Sequence, residues 1–76
     1  MFNKGGEEMT LLKENVSSIL KKEIEDKGLK QKFVAQGIGV TTTYLSQILN
    51  GSRNPSVEVA IKVARFLNVP LEKILN

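Results

Sequence analysis

Between Gly39 and Gly51 the chain reads GVTTTYLSQILNG, a stretch without a single charged residue. Thr41, Thr42, Thr43, Ser46, Gln47 and Asn50 can all hydrogen-bond without ionising. At about 100° per residue, Leu45, Ile48 and Leu49 fall on one side of a helix. Thr42, Thr43, Ser46, Gln47 and Asn50 fall together on the other, with Tyr44 at one border. A solvated helical face usually carries Lys and Glu, which are better helix formers than Thr and Ser. This face gives up helix propensity for short hydroxyls and amides, which suit close hydrogen bonding to a surface that offers donors and acceptors. Catalysis is a poorer fit. The chain has no His and no Cys, so the commonest general base and metal ligand, the thiolate and the disulfide are all missing. No nucleophile motif, phosphate-binding Gly loop or converging pair of acids is present. The chain reads as a non-enzyme that needs no cofactor and no metal, and no small-molecule ligand is evident.

The major groove of DNA is a surface of the required kind. A Gln or Asn amide pairs with the N6/N7 edge of adenine, and a Thr methyl packs on the methyl of thymine. Phosphates lie at the rim of the groove, where cations position a protein without reading sequence. Lys30 and Lys32 precede the uncharged stretch and Arg53 follows it. Backbone N–H groups at the start of a helix opening near Gln31 add a site for a phosphate oxygen.

The elements that must hold these residues are all helical. A first helix is expected from Thr10, with Leu12, Val16, Ile19, Leu20 and Ile24 at three- and four-residue spacing, and with Gly28 following Lys27 as its C-terminal cap. A second spans about Gln31 to Ile38, with Val34, Ala35 and Ile38 inward, and Gly39 breaks it. A third runs from about Thr41, its expected N-cap, to Leu49. Asn50-Gly51 closes it, and GSRNPS is dense in turn residues. Ser56 caps a fourth helix, VEVAIKVARFLN, with Glu58 in its first turn and Val57, Ala60, Ile61, Ala64 and Leu67 inward. Pro70 opens a fifth, PLEKIL. Residues 1–9 read as a flexible lead-in and 10–76 as one domain. A tight Gly-containing turn between the second and third helices joins helices that cross steeply, and Ala35 is small enough to let the third pack closely.

LKQKFVAQGIGVTTTYLSQILNGSRNPSVEVAIKVARFLNVPLEKIL closely resembles the lambda-repressor-like, Cro-type (XRE) helix-turn-helix family over about Val16 to Leu75. Gln31, Ala35, Gly39, Leu45 and Ile48 carry the resemblance, with NGSRNPS and the apolar helix after it. It implies a compact five-helix fold whose second and third helices form the helix-turn-helix, and a sequence-specific regulator of transcription, most simply a repressor. By resemblance Thr42, Thr43 and Gln47 contact bases. Gln31 touches a phosphate and braces the third helix. Thr41, Tyr44 and Ser46 make phosphate or peripheral contacts, and Asn50, Ser52 and Arg53 hold the backbone. The sequence departs from the family pattern at four places. Lys30 stands where Ser, Thr or Asn usually caps the second helix. Phe33 replaces a commonly polar residue. Gly37 costs roughly 1 kcal/mol relative to Ala in a helix. The third helix carries no Arg, so no guanine-directed contact is expected from it.

The net charge of +3 leans mildly toward a polyanionic partner. No apolar run suggests a signal peptide or a membrane span, so a cytoplasmic location is expected. Double-stranded DNA is the expected partner, two-fold in sequence and A·T-rich under the third helix. A homodimer is expected at least on DNA, through Val59, Phe66, Ile74 and Leu75. The alternative is the same fold used as an antitoxin or a protein-interaction adaptor, with residues 1–15 left for the partner.

Overall fold

In the computed structural model, residues 11–76 are described; the lead-in expected at 1–9, and Thr10, lie outside them. Helix ends are where the sequence acts most visibly. The helix α1 (Val16–Asp26) stops at Lys27, and Gly28 beyond it takes a left-handed φ of 70°. That conformation turns the Gly28 and Leu29 amides back onto the carbonyls of Glu25 and Ile24, at 3.0 and 3.1 Å. Carbonyls that the helix would leave unpaired are thus satisfied. The same closure ends α2 (Gln31–Ile38) at Gly39 and α4 (Val57–Phe66) at Leu67-Asn68, where Asn68 supplies the left-handed residue. Side-chain caps open the other two junctions. Thr41 Oγ1 accepts from the Tyr44 amide at the start of α3 (Thr42–Leu49), and Ser56 Oγ from the Val59 amide at the start of α4.

The four helices enclose one core. α2 packs on α3 and α4, and α1 packs on α3 and α4 from the other side. Leu20, Val34, Ala35, Leu45, Ile48, Ala60, Val63, Ala64 and Ile74 are all fully buried. Burying each larger aliphatic side chain contributes about 1.5–3 kcal/mol. Val63, not assigned inward from the helical wheel, is one of them, and Ile61 is only half-buried.

Three expectations are corrected. The fifth α-helix is a single 3-10 turn, Leu71–Lys73, so the described residues hold four α-helices. Among the described residues, the helix that carries Val16, Ile19, Leu20 and Ile24 begins at Val16, and Leu12 lies outside it. Both changes have one cause: Leu12 and Leu75 pair in an isolated antiparallel bridge. The Lys13 amide donates to the Ile74 carbonyl at 2.8 Å, and the Asn76 amide to the Leu11 carbonyl at 3.2 Å. Leu12 and Leu75 are committed to that pairing, and neither described helix runs through them. The bridge also brings Ile74 wholly inside, which removes it from the expected dimer patch. Of that patch Val59, Phe66 and Leu75 remain, each half-buried against the core.

Gly37 has a packing reason. A Cβ there would lie 2.9 Å from Cδ1 of Phe66 and closer still to its Cε1 and Cζ. The Phe66 ring therefore rests on the backbone of α2, and Phe33 tilts against it with centroids 5.6 Å apart. Phe33 itself is 54% exposed.

Glu23 joins the two ends of the fold. Its carboxylate accepts from Lys27 Nζ at 3.3 Å and from Lys73 Nζ at 3.5 Å. The Lys27 hydrogen bond, followed by the charges of Lys27 and Lys73, outweighs desolvation and holds the Glu23 pKa below the usual carboxylate value.

Two outcomes are expected. Gly37→Ala should destabilise the protein by about 1–3 kcal/mol through overpacking. In a Phe66→Ala background the same change should stabilise by about 0.5–1 kcal/mol, the ordinary helix preference; urea unfolding of the four proteins checks both signs. Because the Glu23 pKa is depressed, its contribution is present above the unfolded carboxylate pKa and lost as pH falls through the folded one. Thermal melts should therefore show Glu23→Gln less stable than the parent at pH 7, with the difference closing in acid.

Candidate nucleic-acid interface

The interface is built on the α2–α3 corner. Gly39, with φ of 79°, lets the Val40 amide reach the Ala35 carbonyl at 3.0 Å, and Thr41 at once caps α3. Ala35 has no bulk to hold α3 away, and Leu45 and Ile48 fill the angle beneath. With those two and Leu49 inward, the opposite side of α3 must face out. Thr42, Thr43 and Asn50 are exposed; Tyr44, Ser46 and Gln47 are half-buried. The uncharged face read from the sequence is thus an outer surface, open at its first turn.

The residues expected to hold phosphates flank it. Lys30 occupies the N-cap position of α2 and makes no side-chain cap, as its departure from the family pattern suggests. No cap therefore competes for the first amides of α2, and the exposed Lys30 and Lys32 lie beside them in sequence. Gln31 is half-buried in the first turn of α2, and its side chain makes no hydrogen bond to another described residue. The bracing of α3 that the resemblance implies for Gln31 has no such bond to carry it. Asn50 acts locally. Its Oδ1 accepts from the Ser52 amide at 2.9 Å, which turns the chain sharply after α3.

That turn returns Arg53 to α3. Its amide donates to the Gln47 carbonyl at 3.2 Å and its Nε to Gln47 Oε1 at 3.4 Å. Its guanidinium lies over the Tyr44 ring, 5.5 Å from the centroid, a cation–π arrangement. Tyr44 and Gln47 lie one turn apart on α3, so Arg53 spans the edge of the uncharged face. The spacing in sequence does not disclose this, because it depends on the conformation of Asn50 to Ser52.

Charge is distributed to match. Lys22, Lys27, Lys62 and Lys73 are paired with carboxylates. Among the described residues Lys30, Lys32 and Arg53 have no such partner, and neither do Lys13, Lys21 and Arg65. What separates the first three is their neighbourhood. No acidic residue occurs between Asp26 and Glu58. Four of the eleven cations and none of the eight acids lie there, so the rest of the chain, with seven cations and eight acids, has a net charge of −1. The mild basicity of the whole chain is a local property of the helix-turn-helix, and residue order alone reveals it. No cluster of His, Cys, Asp or Glu that could hold a metal occurs among the described residues, nor does any helix long and apolar enough to cross a membrane.

The helix-turn-helix family model HTH_3 matches residues 20–74, more than half of the chain. The ImmF control region 10 kDa protein of Bacillus phage phi105 is 34% identical over 56 residues, which cover 74% of this chain and 62% of the phage protein. The replication factor C small subunit of Thermococcus kodakarensis is 29% identical over 70 residues, 92% of this chain but 8% of that protein. The chain thus spans less than two thirds of the phage relative and a small part of the other. The turn at Gly39, the packed corner beneath α3 and the match from residue 20 to 74 agree: the chain belongs to the XRE-type helix-turn-helix family of DNA-binding regulators.

Proposed function

We propose that this protein binds double-stranded DNA in a sequence-specific manner and represses transcription by occupying its site. The observation that carries the reading is the outer face of α3, an uncharged hydrogen-bonding surface bordered by cations that no carboxylate neutralises. The name of the phage relative, a control-region protein, supports the regulatory role.

In this reading α3 enters the major groove. Thr42 and Thr43, exposed in its first turn, meet base edges and favour A·T pairs through their methyls. Gln47 reads one turn further along. Lys30, Lys32 and Arg53 meet phosphates on the two sides of the groove, and the α2 amides and Gln31 add neutral donors. Thr41, Tyr44, Ser46, Asn50 and Ser52 complete the rim. A two-fold pair of chains on a two-fold site is the matching assembly, with Val59, Phe66 and Leu75 as the part of the expected dimer patch that keeps some exposure. The protein binds rather than catalyses, and it does so in the cytoplasm. Residues 10–76 act as the DNA-binding unit, with 1–9 as a lead-in.

Selection from random duplex DNA, followed by binding at two salt concentrations, tests the reading. A two-fold motif is expected, with half-sites about one helical turn, roughly 34 Å, apart. Thr42→Ala should relax one base position at a cost of roughly 1–3 kcal/mol on the preferred site. Lys30→Ala should weaken all sequences alike and reduce the salt slope by about one counterion. Equal loss on every sequence for Thr42→Ala would contradict the base-reading assignment.

A further inference from the structure

We propose that Gln47 and Arg53 read DNA as one unit, in which Arg53 fixes the Gln47 amide with its NH2 outward so that the pair selects guanine. The inference rests on the DNA-reading role of α3 given above and adds a specificity that the residues of α3 alone do not carry.

Donor and acceptor chemistry sets the orientation. A guanidinium has only donors, so an amide beside it must turn its oxygen toward it. The 3.4 Å contact from Arg53 Nε to Gln47 Oε1 is that arrangement. It does not depend on one soft contact. The Arg53 main chain is tied to the same residue by the 3.2 Å bond to the Gln47 carbonyl, and the guanidinium is seated on Tyr44, one turn back along α3. Asn50 and Gly51, with φ of 85° at the glycine, set the turn that makes all three contacts possible. No acidic residue within the span from Asp26 to Glu58 competes for the guanidinium.

The consequence is a surface with one polarity. Once the oxygen of Gln47 faces Arg53, the NH2 leads toward the groove, and the remaining guanidinium N–H groups lie beside it. Guanine presents two acceptors, N7 and O6, in the major groove; adenine presents one acceptor and the N6 donor. A donor-only pair matches the first and sets its NH2 against the second. An unrestrained Gln amide would instead offer its oxygen to N6 and its NH2 to N7, the adenine pairing. Arg53 thus supplies, from the loop, the guanidinium that α3 lacks, and it is a positioning residue for Gln47 as well as a cation.

Arg53→Lys separates these roles. Lysine keeps the positive charge but places a methylene where arginine has Nε–H. The parent chain, Arg53→Lys, Gln47→Ala and the double variant are each taken through selection from random duplex DNA. Gln47→Ala should erase preference at one position, which identifies the base that Gln47 reads, and the parent should show guanine there. Arg53→Lys should keep the rest of the motif and shift that position from guanine toward adenine by roughly tenfold in their ratio. The double variant should match Gln47→Ala. An Arg53→Lys motif identical to the parent, adenine in the parent at that position, or no position altered by Gln47→Ala would overturn the pairing while leaving the DNA-binding function intact. Absence of any motif for the parent would instead overturn that function, and this inference with it.

Discussion

The whole reading surface depends on one close approach, the crossing of α2 and α3. Two residues permit it. Ala35 has no bulk to hold the helices apart, and Gly39 adopts the left-handed conformation that returns the Val40 amide to the Ala35 carbonyl. A Cβ at position 39 would meet no atom, so the constraint there is purely one of backbone angle. With the crossing set, Leu45, Ile48 and Leu49 must point inward, and the polar side of α3 has only one direction left to face. Core packing, not any interaction of the polar residues themselves, orients the candidate site.

The charges follow the same division. Six of the eight carboxylates lie at or before Asp26 and two at or after Glu58; Glu23 and Asp26 of α1 and Glu58 of α4 pair with lysines, and Glu23 ties α1 to the terminal 3-10 turn. The span between Asp26 and Glu58 has none, and although Lys27 at its edge pairs with Glu23, Lys30, Lys32 and Arg53 keep their field for an outside anion. Surface ion pairs of the kind seen elsewhere contribute little to stability. Their effect here is to leave the positive potential concentrated at the helix-turn-helix.

Much of this was legible in the sequence, for identifiable reasons. Apolar spacing located α2 and α3 because both are short, strongly periodic and closed by Gly or Asn-Gly. Thr41 and Ser56 were legible as caps because a hydroxyl before an apolar run has few other uses. The ends of the domain were not legible. Leu12 and Leu75 fit a helical spacing as well as an extended one, and only their pairing across the fold decides between the two. The burial of Ile74, expected at a dimer surface, follows from the same pairing. Gly37 reads as a defect until Phe66, far along the chain, is seen to lie against it. The contact of Arg53 with Gln47 and Tyr44 was hidden for a similar reason, since it is made by a loop conformation and not by a period.

Everything proposed for this protein turns on the uncharged face of α3 lying against base edges. Amide chemical-shift mapping of the labelled protein, titrated with the duplex that selection returns, tests this most directly. The largest perturbations are expected at Thr42, Thr43, Gln47 and Arg53, with smaller ones at Gln31 and Lys32. Perturbations centred instead on α4 or on the 3-10 turn at Leu71–Lys73, with α3 unmoved, would contradict it.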